Sequence, residues 1–70
     1  MSNENDITLL DETVSGTTYI GKAARGSTSD QSVWQIQKMV EGNGYTSVKY
    51  AEGQDTYSFV WDNRATYNYK

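Results

Sequence analysis

Three short clusters hold side chains of the kinds that bind or catalyse. Glu52 and Asp55 flank Gly53 in one loop. Two carboxylates can share general acid–base work, but only across a cleft that drives their pKa values apart. Two acids in one exposed turn read as solvated, and calcium wants six or more oxygen ligands. Gly42-Asn43-Gly44-Tyr45-Thr46-Ser47 begins like a phosphate loop. It lacks the third glycine, a Gly-Lys-Ser/Thr signature and a following helix, so it reads as a hairpin turn. Trp61-Asp62-Asn63-Arg64 is the densest polar–aromatic cluster. Trp61 is either a stacking platform for a sugar or base or a core residue above a bend. The core reading is preferred, with Asp62 and Arg64 tying a bend through Asn63 by a charge-assisted bond. Asp11 and Glu12 face opposite sides of an extended chain and share no site. No serine or threonine has a base beside it. No catalytic, cofactor or metal residue is therefore assigned, and the chain is read as a non-enzyme.

Composition narrows the chemistry in the same direction. There are 70 residues, with no Cys and no His. That excludes disulfides, thiolate nucleophiles, zinc knuckles and imidazole-based triads or switches. Net charge is −3, and all four charged residues of 1–21 (Glu4, Asp6, Asp11, Glu12) are acidic. The rest holds five acids and six bases, without the basic footprint that nucleic-acid binding requires. The longest apolar runs span a few residues, too short for a transmembrane helix, and the polar, acidic start differs from a secretory signal. A soluble intracellular product contacting neither nucleic acid nor membrane is expected.

The elements that would carry these side chains are strands. Thr, Tyr, Val, Ile and Trp fill the stretches between Gly16, Gly21, Gly26, Gly42, Gly44 and Gly53. Strands are expected near 7–10, 17–24, 33–41, 45–52, 57–61 and 65–69. Residues 33–41 fit a helix or a strand by period alone. The Asn43-Gly44 turn before alternating Thr46, Val48 and Tyr50 decides for a strand. The expected fold is all-β, a small antiparallel meander, barrel or sandwich of five to six short strands. An acidic, partly flexible N-terminal arm over 1–16 precedes a single β domain over 17–70. Its core would be built on Ile20, Trp34, Ile36, Val48 and Trp61. Tyr45, Tyr50, Tyr67 and Tyr69 are the candidate interface, because exposed tyrosines bury much area at low entropic cost. So small a core gains from assembly onto copies of itself or a larger body.

Five blocks in order also resemble small virion-associated proteins of tailed bacteriophages. They are Tyr19-Ile20-Gly21-Lys22-Ala23, a Gly/Ser/Thr loop with Val33-Trp34-Gln35-Ile36, Tyr50-Ala51-Glu52-Gly53, and Val60-Trp61-Asp62-Asn63-Arg64-Ala65-Thr66-Tyr67. The resemblance covers about residues 17–69 and implies a context, not an activity. In that context the chain is expected to be a virion structural protein assembled in the host cytoplasm. A capsid decoration (cement) protein leads, its partners the major capsid protein, other virion proteins or its own copies. A tail, neck or head-fibre component follows, then an inhibitor of a host protein or a carbohydrate-binding module.

Overall fold

The computed structural model describes residues 6–70. It is an antiparallel meander of β1 (Asp6–Val14), β2 (Thr17–Ala24), β3 (Ser32–Gly42) and β4 (Tyr45–Tyr50), followed by short β5 (Phe59–Val60). A 3-10 helix then spans Trp61–Thr66. Strand order is β1-β2-β3-β4, with β5 on the start of β3 through Ser32↔Val60 and Trp34↔Phe59. The all-β reading holds, including the strand at 33–41. Two-residue turns set the register of the β1–β2 and β3–β4 hairpins, while the seven residues 25–31 join β2 to β3. Asn43 (φ 55°) and Gly44 (φ 85°) both occupy the left-handed region, the mirror-image turn whose twist matches that of flanking strands.

Three boundaries differ from expectation. The acidic arm is not separate, because from Asp6 onward it is a nine-residue strand paired along β2. Its apolar Ile7 and Leu9 pack on the core, which is what recruits it. The expected flexibility of residues 1–5 falls outside the described residues. The strand expected at 57–61 shrinks to two residues, and the one expected at 65–69 is a single bridge, Ala51↔Tyr69, after the helix. The Asp62–Arg64 bend is part of that helix.

The core lies under one face of the sheet. Ala23, Trp34 and Ile36 project from β2 and β3, and Ala51, Phe59 and Trp61 close over them. Gly21 makes this possible. It sits mid-strand between Leu9 and Ile36, inside the strand expected over 17–24. A Cβ there would overlap Cε3 of Trp61 and approach Cε3 of Trp34 to 3.2 Å. The missing side chain is the seat of the Trp61 indole, whose ring centroid lies 6.0 Å from that of Trp34. Trp34 also donates its indole N–H to Thr28 O at 2.9 Å, so a buried polar atom is satisfied by the 25–31 loop.

Two of the expected core residues lie elsewhere. Ile20 is half-buried and Val48 is 49% exposed. Both point to the opposite face, because side chains alternate along a strand and their neighbours Gly21 and Lys49 occupy the inner side.

Candidate interaction face

The outer face of the sheet is built from the residues that the inner face rejects. Register puts Leu10, Ile20, Gln37 and Tyr50 in one row across all four strands. The next row holds Thr18, Met39 and Val48, and another holds Thr8, Lys22 and Gln35. Leu10 (59% exposed) and Val48 thus stand at the two ends of an apolar band with Ile20 and Met39 between them. Nothing among the described residues covers it. Both faces carry apolar side chains because β1 and β3 hold apolar residues in succession: Leu9-Leu10 on β1, Val33-Trp34 and Met39-Val40 on β3. One member of each pair must then face away from the core.

The four candidate interface tyrosines do not form one surface. Tyr50 is half-buried at the end of the first outer row. Tyr45 is 69% exposed at the hairpin tip. Tyr67 and Tyr69 pack against the core, correcting their expected role. Tyr67 meets Phe59 edge-on at 5.0 Å and its hydroxyl accepts the Val60 N–H. Tyr69 donates its hydroxyl to Arg64 O at 2.7 Å, and burial pushes its pKa upward. The tail that follows the helix needs rings here because the meander alone leaves the inner face half covered.

The polar clusters are structural in the same way. Trp61 is buried and offers no ring to a ligand. Arg64 does not pair with Asp62; its Nε donates to Asp11 Oδ2 at 2.8 Å, and its guanidinium lies 4.6 Å from the Trp61 ring centroid. Asp62 is exposed, and its backbone N–H donates to Ser29 O. Asn63 is exposed too, its carbonyl accepting the Thr66 hydroxyl. Asp11 also accepts the Thr13 hydroxyl and N–H, and these bonds with the Arg64 partner hold its pKa down to about 2. Glu52 accepts the Asn68 N–H at 3.0 Å, whereas Asp55 contributes its carbonyl to Gln35. The two loop carboxylates share no site.

One arrangement had no local signal. Lys38 reaches over the Tyr19 and Tyr69 rings, 5.9 and 5.7 Å from their centroids. Its cross-strand neighbour is Lys49, a like charge directly opposite. The two rings draw the Lys38 ammonium toward their negative faces.

Among the described residues there is no cavity, no cluster of three potential metal ligands, and no helix long and apolar enough to cross a membrane. No protein family, curated protein or solved structure matches the chain.

Proposed function

We propose that this chain is a non-catalytic binding domain that acts through protein–protein contacts, as a structural protein of a tailed-bacteriophage virion. The observation that carries the binding reading is the outer apolar band, Leu10–Ile20–Met39–Val48, on a sheet whose core is already complete on its other side. An apolar band with no internal partner is a surface for another molecule. The virion setting rests on the resemblance of the five ordered blocks to small phage proteins. Within it, a capsid decoration role suits a compact domain that presents one flat sticky face. The major capsid protein or copies of this chain are its partners.

Mass spectrometry of purified virions from the encoding phage, with copy-number estimation, tests the setting. Copies in proportion to the capsid lattice support decoration. A handful per particle moves the protein to the neck, tail or head fibres. Absence from the particle overturns the virion reading and favours an inhibitor of a host protein.

A further inference from the structure

The sheet has two open edges, β1 and β4. The Gly42↔Tyr45 pair closes a two-residue hairpin, so Tyr45, Ser47 and Lys49 spend their backbone groups on β3. Thr46, Val48 and Tyr50 turn theirs outward. The Tyr50 carbonyl follows this pattern, accepting Gly53 N–H at 3.0 Å and Lys70 N–H at 3.2 Å. Thr46 and Val48 keep outward groups that no described residue takes. At the other edge, Glu41 N–H bonds Gly16 O. By alternation, Met39 and Gln37 bond β2, which leaves Tyr19, Gly21 and Ala23 to bond β1 through Asp11, Leu9 and Ile7. Asp6, Thr8 and Leu10 therefore turn their amides and carbonyls away from β2, and no described residue takes them. Neither edge carries proline, and β1 carries no lysine, the usual guards against pairing.

Resting on the binding-domain reading above, we propose that copies of this chain join head to tail, β4 of one copy pairing antiparallel with β1 of the next. Three features select this joint. Strand direction alternates along the meander, so β1 of an added copy runs antiparallel to β4 and extends the same sheet. Charge is complementary: besides Asp11, which Arg64 neutralises, β1 holds Asp6 and Glu12 with no base, while β4 holds Lys49 with no acid, beside Lys38 of β3. A symmetric β1–β1 joint would instead bring Asp6 and Glu12 toward their own copies, and a β4–β4 joint would bring Lys49 toward its own copy. Finally, the two exposed aliphatics at opposite ends of the band, Leu10 and Val48, carry outward backbone and lie on the same face. In the register that sets Leu10 opposite Thr46 and Thr8 opposite Val48, Leu10 and Val48 are diagonal neighbours, and the joint stops at Tyr50, beyond which residues 68–70 already hold the edge. One joint covers both aliphatics and makes the apolar band continuous from copy to copy. Such heterologous contacts build rings or filaments rather than closed dimers.

Sedimentation of the full chain over a range of concentration and salt tests the joint. The wild-type chain is expected to gain mass with concentration and lose it as salt rises. Leu10→Lys blocks only the β1 edge and Val48→Lys only the β4 edge. Each should be monomeric alone, and an equimolar mixture should form a dimer and nothing larger, because one open edge of each kind remains. Circular dichroism checks the folds. If either lysine variant unfolds, Thr8→Pro and Thr46→Pro remove only outward amides and are read the same way. A monomeric wild-type chain, a single variant that still self-associates, or a mixture that stays monomeric overturns the proposal. A monomer that nevertheless co-purifies with virions would overturn self-pairing alone. An assembling chain absent from virions would overturn the virion setting alone.

Discussion

Asp11 and Arg64 are 53 positions apart in the chain and 2.8 Å apart in space. The contact fastens the first strand to the terminal helix. Arg64 is at the same time stacked on Trp61 and donates to its carbonyl at 3.1 Å, so β1, the helix and the core indole form one mechanical unit.

This clasp makes the fold acid-sensitive. The Asp11 carboxyl titrates near 3.8 when unpartnered and near 2 in the fold, mainly because Thr13 donates two hydrogen bonds and Arg64 a third. A depressed acid contributes stability that is complete above its unfolded pKa and lost as pH falls through its folded one. Stability is therefore expected to decline between about pH 4 and pH 2. Asp11→Asn should flatten that limb in urea midpoints measured against pH. An unchanged limb would assign the loss to other carboxyls.

Tyr69 gives the opposite limb. Its hydroxyl is held neutral by burial, with the neighbouring Tyr19 and Tyr67 rings adding to the upward shift. The unfolded chain ionises first, so stability falls as pH rises past 10. Tyr69→Phe should weaken that alkaline decline while losing the bond to Arg64 O, about 1 kcal/mol at neutral pH. Thermal melts at stepped alkaline pH read both effects.

Gly21→Ala is expected to cost about 1–3 kcal/mol, because the new methyl meets the Trp61 ring. The penalty should shrink when Trp61 is first replaced by the smaller apolar Leu, which frees space over Gly21 while keeping the core apolar. A double-mutant cycle by urea denaturation measures that coupling, and additive effects would sink the seat assigned to Gly21.

Trp61→Ala alone removes the lid of a small core and should cost about 3–5 kcal/mol. For a domain of this size that abolishes folding near body temperature. A well-folded variant impaired only in binding would return Trp61 to the role of a ligand platform.

Asn43→Ala should cost about 1 kcal/mol, since Asn43 sits at φ 55°, where alanine is disfavoured. Asn43→Gly should be nearly neutral. Melting curves of the two variants separate backbone strain from side-chain loss.

Much of the architecture was legible in residue order. Asn43-Gly44 marked its hairpin, and alternation from Thr46 to Tyr50 identified β4 and resolved the 33–41 segment as its partner. Trp34, Ile36 and Trp61 are where aromatic and aliphatic bulk suggested. Other placements depend on contacts that no local pattern carries. Ile20 and Val48 have the chemistry of core residues, but strand parity sends them outward, and for Ile20 that parity follows from Gly21 lying beneath Trp61. The acidic residues of β1 read as an arm holding only a short strand near 7–10, whereas the pairing with β2 runs from Asp6 to Val14. Tyr67 and Tyr69 looked available for a partner until the 3-10 helix folded their segment back over the core. The Asp11–Arg64 and Lys38–Tyr19–Tyr69 contacts join distant segments and leave no trace in spacing.

The seating of Trp61 on Gly21 also sets an order of events during synthesis. Strands β1 to β4 each pair with a chain neighbour, through two-residue turns or the 25–31 loop, and can zip together as they emerge, since local contacts form early. Their inner surface cannot dry until residues 59–69 arrive to roof it. A nascent chain halted before that point would display greasy surface on both sides of its hairpins, a natural target for chaperones and proteases.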